Sequence, residues 1–182
     1  CVLAPIAAQE LKGELPGHKK VYTLNDIQWQ LMDIKTAPPP DFKDFDLPVY
    51  PNMASYTSRS CPFQCSFCSE TVQWGKYRKK TGKHIVEELT AMYRQYGRQL
   101  FFMSDSLLNP VLNDLSREFI ASGESIYWDG CIRADKAVCN VDNTMLWRQG
   151  GFYRARLGME SGSQSVLDLM TKKITVEQMH QS

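Results

Sequence analysis

Short apolar runs alternate with helical patterns along most of the chain, and this alternation constrains the fold more than any other feature. The runs QLFFMSDS, SIYWDGCIR and FYRARLGMES begin roughly 26 residues apart, and helical patterns separate them. An earlier run, MASYTS, has the same character and begins at Met53. Strands and helices in alternation form a parallel sheet with right-handed connections and helices outside. The sequence therefore predicts an α/β fold.

The helices between these strands carry their own start and stop signals. Apolar residues at helical spacing indicate helices over residues 82–97, 110–123, 141–151 and 163–173, and ITVEQMHQS indicates the beginning of another helix. Glycine favours a helix end, whereas proline and short polar side chains favour a helix start. The expected end residues are Gly97 and Gly123, and the expected starts are Pro110, Asp142 or Asn143, and Ser163.

The first part of the chain differs in composition from the rest. The stretch KTAPPPDFKDFDLPVYPN contains five prolines, which favours an extended connector ordered by what it lies against. We therefore predict a Pro-rich linker over residues 1–50, from a missing upstream domain, and a core domain over residues 51–182. Four strand–helix units do not close a barrel, so we expect a partial barrel in a truncated fragment.

Composition restricts the functional classes. The chain has 182 residues, of which 43% are hydrophobic, so it can bury a sizeable core. Its formal net charge of +1 argues against a nucleic-acid or membrane partner recognised through bulk charge. The sequence contains no apolar run of about 18 residues, the length that a membrane-spanning helix needs.

Three of the six cysteines are concentrated in one short stretch. CPFQCSFC places Cys61, Cys65 and Cys68 within eight residues, whereas the other three are scattered. A chain that can build a core does not need a disulfide framework, so this pattern favours metal binding in a reducing compartment, the cytoplasm. Zinc prefers four protein ligands, whereas three cysteines would leave one iron of a [4Fe–4S] cluster open. Spacing alone leaves both metals open, and we expect Cys131 and Cys139 to be small buried side chains.

The order of the motifs resembles the radical S-adenosylmethionine superfamily. CPFQCSFC, with an aromatic residue before the third cysteine and directly after the first strand, is similar to the signature of that family. RLGMESGSQSVLDLMTKKIT resembles the fourth-strand motif of members with an upstream cobalamin-binding domain. FFMSDSLLNP and WDGCIRADK resemble the ends of their second and third strands. The similarity covers roughly residues 45 to 180.

This resemblance implies a partial (β/α) barrel of the radical S-adenosylmethionine type, with its chemistry at the carboxyl ends of the strands. The three cysteines would bind a [4Fe–4S] cluster whose open iron takes S-adenosylmethionine. Reductive cleavage would then yield a 5′-deoxyadenosyl radical that removes hydrogen from a substrate. Cobalamin-dependent methyl transfer is one outcome that the resemblance implies.

The resemblance also implies further cofactor contacts. Ser104 and Asp105 stand where many members have Gly-Gly-Glu, which would meet the methionine amino group, although Asp105 could instead cap the next helix. Arg133 would meet the methionine carboxylate through its fork of donors, or pair with Asp135 at the surface. The remaining candidates are Glu160 and Ser161 on the ribose or methionine, and Phe67 beside the adenine.

Partners and rival functions follow from the same residues. We expect a small-molecule or natural-product substrate and a reductant such as flavodoxin or ferredoxin, with no membrane or nucleic acid. WGKYRKK could attract that reductant by its charge, or simply be a solvated stretch before a helix. The alternatives are an iron–sulfur electron-transfer or structural module, a zinc-binding RNA-modification module, and a transfer-RNA methylthiotransferase-like enzyme.

Overall fold

The computed structural model describes two short strands near the start of the chain and all of residues 33–182. Strands β1 (Val2–Leu3) and β2 (Tyr22–Thr23) pair in parallel. The chain divides into a unit of residues 1–32 and a unit of residues 33–182, and every site discussed below lies in the second. The expected boundary between a linker and a core near residue 50 stays a prediction.

A four-stranded parallel sheet forms the centre of the second unit. Its strands are β3 (Met53–Ser55), β6 (Leu100–Met103), β7 (Tyr127–Ile132) and β8 (Phe152–Leu157), in that spatial order. All three neighbouring pairs run parallel, which confirms the predicted α/β architecture. A small antiparallel pair, β4 (Ser58–Arg59) with β5 (Arg78–Lys79), was not predicted.

Helices follow each strand of the sheet. They are α1 (Glu70–Trp74), α2 (Gly82–Tyr96), α3 (Leu112–Ser122), α4 (Val141–Gln149), α5 (Gln164–Leu169) and α6 (Val176–Gln181). Helices α2 to α6 match the five segments with helical patterns. Helix α1, which begins two residues after the last cysteine of the loop, was not predicted.

The helix ends agree with the sequence signals at some positions and differ at others. Gly97 and Gly123 follow α2 and α3 in the left-handed conformation that glycine tolerates. The prediction that Asp142 or Asn143 caps α4 is wrong, because the Asn140 side chain accepts the hydrogen bond from the Asn143 backbone N–H. Ser163 precedes α5 but its side chain makes no capping bond.

The start of α3 also differs from the sequence expectation. Pro110 does not begin this helix, which starts at Leu112 with Val111 at the N-cap position. Backbone N–H groups of Val111 and Leu112 donate to the carbonyl of Leu108 instead, at 2.8 and 3.2 Å. The proline therefore lies in a turn that leads into the helix.

One face of the sheet packs against α2, α3 and α4 and forms the main core. Because side chains alternate along a strand, every second residue enters this core and its neighbours point the other way. In β8 the alternation is broken between Phe152 and Arg154, where the pairing with β7 shifts by one residue. The strand residues in the core are Met53, Phe101, Met103, Trp128, Ile132 and Phe152. We call the opposite side the open face, and define it by Phe102, Asp129, Cys131, Arg154 and Arg156.

The proline-rich stretch before β3 packs on α2. Phe42 contacts the Tyr96 ring edge-on with centroids 6.1 Å apart, and Phe45 contacts Phe42 at 5.6 Å. The Arg98 side chain donates to the carbonyls of Leu47 and Tyr50. Aromatic and backbone contacts thus order this stretch. Among the helices of the described residues, none has the length and hydrophobicity required to cross a membrane.

Candidate active site

The cysteines lie on the loop that joins β4 to α1. Ser60, the residue before the first cysteine, has a φ of +70°, which residues other than glycine rarely adopt. The Cys68 N–H donates to the Cys65 carbonyl at 3.1 Å, so the loop turns back on itself. The Ser66 N–H donates to the Met170 carbonyl at 2.9 Å. The loop is therefore attached to the segment that follows α5.

The three thiols of this loop share one cavity. Cys61, Cys65 and Cys68 are half-buried, free of disulfides, and line a cavity of about 360 Å³. Burial raises the pKa of the Cys61 thiol, and the charges of Cys65 and Cys68 raise it further. A hydrogen bond from the backbone of Phe63 and the charge of Arg133 lower the same pKa. The loop thus holds three thiols close to one another, and Arg133 places a positive charge beside them.

The donor set fits an iron–sulfur cluster in kind and in location. Within residues 33–182, no three Cys, His, Asp or Glu side chains converge closely enough to hold a metal ion as they stand, so ligation requires the thiols to turn toward a common centre. Soft thiolates on one short loop are what a [4Fe–4S] cluster accepts. A zinc site would need a further ligand such as His84, but this histidine lies on α2 with its Nε2 3.7 Å from Glu88 Oε2 and does not line the cavity.

Arg133 follows β7 and borders the same cavity. It is 4% exposed, and its guanidinium carbon lies 3.6 Å from the centroid of the Phe63 ring. Its Nη2 donates to the Lys172 carbonyl, whereas its buried Nε has no hydrogen-bond partner within residues 33–182. Burial lowers the pKa of Arg133, and the charges of nearby cysteines and Asp135 raise it. The side chain therefore has a free donor beside the thiols.

The alternative in which Arg133 pairs with Asp135 is wrong for this structure. Asn109 Nδ2 donates to Asp135 Oδ2 at 2.9 Å and to the Arg133 carbonyl at 3.0 Å. Asn109 Oδ1 accepts from the Arg133 backbone N–H at 2.9 Å. Sequence reasoning missed Asn109, because an amide that holds backbone groups carries no recognisable spacing.

Lys172 connects two of the predicted cofactor residues. Its Nζ lies 2.9 Å from Glu160 Oε1 and 5.7 Å from the centroid of the Phe67 ring. Glu160 has a φ of +65°, and Thr171 and Lys173 are also in the left-handed region. Such backbone conformations occur often at functional sites. Phe67 is 52% exposed and lines the cavity, so its ring face is accessible to a ligand.

Ser104 and Asp105 follow β6 and bind the chain that leads into the cysteine loop. The Ser104 N–H and hydroxyl donate to the Ser55 carbonyl at 2.8 and 3.0 Å. The Asp105 carboxylate is 5% exposed and accepts from the backbone N–H and the hydroxyl of both Thr57 and Ser58, at 2.5 to 3.1 Å. Burial raises the pKa of Asp105, and these hydrogen bonds lower it.

The predicted site residues are distributed over three neighbouring cavities. Asp105 does not cap α3, since that helix starts seven residues later; with Ser104 it lines a cavity of about 470 Å³. Ser106 lines this cavity and the cysteine cavity, and its hydroxyl donates to Glu70 Oε2.

Ser161 lines a third cavity of about 680 Å³, to which Glu160 also contributes. The cysteine cavity itself collects Cys61, Cys65, Cys68, Phe67, Arg133 and Glu160.

Two curated relatives each align with about two thirds of the chain. An anaerobic magnesium-protoporphyrin IX monomethyl ester cyclase of Synechocystis sp. is 32% identical over 120 residues, which is 63% of this chain and 24% of that protein. An uncharacterized methyltransferase of Pyrococcus horikoshii is 33% identical over 129 residues, which is 67% of this chain and 27% of that protein. The chain thus spans about a quarter of the length of these relatives. No protein-family model matches it.

A solved structure confirms the class of fold. The radical S-adenosylmethionine methyltransferase TsrM of Kitasatospora setae, solved with cobalamin and a [4Fe–4S] cluster, superposes with a TM-score of 0.62 at 16% identity. The match covers 71% of this chain and 26% of TsrM. The chain therefore shares the fold of part of a radical S-adenosylmethionine enzyme, and its homologues include methyltransferases and cyclases.

Proposed function

We propose that this chain forms the cluster-binding part of a radical S-adenosylmethionine enzyme. The observation that carries the proposal is the cavity in which Cys61, Cys65 and Cys68 meet Arg133 and Glu160 beyond the strands of a parallel sheet. Active sites of parallel α/β barrels lie at that end of the strands. A cluster held there supplies, when bound, the electron for reductive cleavage of S-adenosylmethionine to a 5′-deoxyadenosyl radical.

The side chains around the thiols bind and orient the cofactor in this proposal. Arg133 has an unpartnered buried Nε that can donate to the methionine carboxylate, and Phe63 fixes the guanidinium plane. Glu160 accepts from a ribose hydroxyl or the methionine ammonium once Lys172 shifts. Phe67 covers the adenine and excludes water. Asp105 acts on the loop that carries the thiols, which is a positioning role.

Methyl transfer with cobalamin is the outcome that we propose for the whole protein. It rests on the methyltransferases among the relatives and on the cobalamin bound in TsrM. The substrate is a small molecule, and a flavodoxin or ferredoxin supplies the electrons. The cysteines of the described residues are free thiols, which agrees with the reducing cytoplasm.

Anaerobic reconstitution with iron and sulfide tests the proposal. We expect a paramagnetic signal after one-electron reduction that shifts when S-adenosylmethionine is added, and the loss of this signal in Cys61→Ser, Cys65→Ser and Cys68→Ser. Cys139→Ser is the matched control, because that half-buried thiol does not line the cavity. One tightly bound zinc per chain and no paramagnetic species would contradict the proposal.

An electron-transfer module is the second candidate, and one observation favours it. Cys131, expected to be buried, is instead half-buried and lines the same cavity as the other three thiols. A fourth protein ligand would close the open iron. Cys131→Ser separates the two functions: the radical enzyme keeps its cluster and its response to S-adenosylmethionine, whereas the electron-transfer module loses the cluster.

A further inference from the structure

Two arginines of the open face bind the same carboxylate oxygen. Asp129 Oδ2 accepts from Arg154 Nε at 2.6 Å and from its Nη2 at 2.5 Å. The same oxygen accepts from Arg156 Nε at 3.1 Å and from its Nη2 at 2.8 Å. The parallel register sets Asp129 opposite Arg154, across an irregularity between Trp128 and Asp129. The cluster is thus built by the pairing of β7 and β8.

The charges of this cluster do not balance. Asp129 is fully buried and contributes one negative charge, whereas the two arginine side chains contribute two positive charges and are 50% and 43% exposed. Asp129 uses only Oδ2, while its buried Oδ1 has no hydrogen-bond partner in the part of the chain that the structure describes. Each guanidinium also keeps an Nη1 that the carboxylate does not engage. The cluster therefore has net positive charge and free donors.

Most of this cluster lies away from the predicted cofactor contacts, and Arg156 reaches toward them. Asp129 precedes the end of β7 by three residues, and Arg154 precedes the end of β8 by three, which is about 10 Å along a strand. Arg156 extends toward the strand ends: it lines the cysteine cavity and lies over the Phe102 ring at 4.5 Å from its centroid. The free charge thus lies on the open face, and Arg156 extends it to the cavity of the thiols.

We propose that Arg154 and Arg156 form an oxyanion site that anchors a carboxylate or phosphate group of the substrate. A guanidinium presents paired donors that match such groups, and Asp129 holds both side chains in place. A substrate that displaces water from the open face would leave the extra positive charge of the arginines without solvation, which costs free energy. An anionic group of the substrate would offset that cost by pairing with the charge. Only the assignment of this anion to the substrate rests on the proposed function.

Calorimetric titration of the full chain with inorganic phosphate tests this site without iron or S-adenosylmethionine. We expect saturable binding at one site per chain, and an affinity at least tenfold weaker in Arg156→Gln. Asp129→Asn removes the competing negative charge, so phosphate should bind at least threefold more tightly. Arg94→Gln is the matched control, since Arg94 forms an exposed pair with Glu124 at 2.9 Å, and its affinity should not change.

Several results would overturn the inference. Absence of saturable binding, or equal affinity in Arg156→Gln, means that the arginines only neutralise Asp129. Competitive displacement of phosphate by S-adenosylhomocysteine would assign the anion site to the cofactor. Arg156→Lys keeps the charge while losing the fork, so a folded variant with weaker binding supports the site even if Asp129→Asn unfolds. These titrations need no cluster, so their result does not depend on whether the reconstitution with iron and sulfide succeeds.

Discussion

A buried carboxylate holds the start of the cysteine loop at the scale of single residues. The Asp105 carboxylate accepts hydrogen bonds from four donors, the backbone N–H and the hydroxyl of Thr57 and of Ser58. The side-chain amide of an asparagine would instead point an N–H₂ group at some of these donors. We expect Asp105→Asn to lower the free energy of unfolding by about 2–3 kcal/mol, because buried donors lose their acceptor. Denaturant unfolding of both proteins measures the difference.

Asp114→Asn is the control for this prediction. Asp114 is exposed and accepts from one donor, the Gly82 N–H, at 2.9 Å. The loss of that single bond should cost no more than about 1 kcal/mol. Equal losses in the two variants would mean that Asp105 does not support the loop.

Sequence reasoning located the thiols but not the side chains that surround them. Cys61, Cys65 and Cys68 are recognisable because they stand within eight residues of the sequence; that they bind a metal stays a prediction. Asn109 and Lys172 contact Arg133 and Glu160 from segments remote in the chain. Such contacts depend on how several helices, strands and loops pack together, so no local sequence pattern predicts them.

At the scale of elements, α3 approaches the turn between α4 and β8 very closely. A Cβ built on Gly150 would lie 2.5 Å from Ser116 Cα and 2.8 Å from its carbonyl oxygen. Backbone atoms cannot yield cheaply, so Gly150→Ala should lower the free energy of unfolding by about 1–3 kcal/mol. Thermal unfolding checks this against Gly162→Ala, where a Cβ meets nothing within 4 Å. Similar stabilities of the two variants would contradict the expected clash.

The contact between α2 and the proline-rich stretch gives a second prediction at this scale. The Tyr96 hydroxyl accepts from the Phe42 N–H at 3.0 Å and donates to Asp41 Oδ1 at 2.9 Å. Tyr96→Phe removes both bonds, so we expect faster limited proteolysis within residues 33–50 and a stability loss of about 1 kcal/mol. Tyr93→Phe, which loses only a 3.4 Å contact with Gln99, should be cleaved at the normal rate.

Element length explains why α2 and α3 were predictable and why α1, β4 and β5 were not. Helices α2 and α3 have 15 and 11 residues, long enough for an apolar stripe to repeat. Helix α1 has five residues and β4 and β5 have two each, so no period can be read from them. The cap of α4 was misplaced because Asn140, Asp142 and Asn143 are all suitable cap residues, and backbone geometry selects Asn140.

At the scale of the whole molecule, metal binding and folding should be coupled. Hydrogen bonds of Ser66 attach the cysteine loop to the end of α5, about 100 residues further along the chain, so a cluster that orders the loop would also support this contact. We expect the reconstituted protein to unfold at a higher temperature than the metal-free protein, since a ligand of the folded state stabilises it. Cys68→Ser should show no such increase, and an equal midpoint in loaded and metal-free wild type would contradict the coupling.

The sequence by itself determined the order of the main strands and helices, the α/β class and the grouping of three thiols on one loop. These properties follow from local periodicity and from short spacings, which neighbouring residues express together. The tertiary structure alone decided that Asp105 holds the loop, that Lys172 links Glu160 to Phe67, and that Asp129 accepts from two arginines. Those contacts depend on strand register and on the burial of charge, and both are settled only when distant segments pack together.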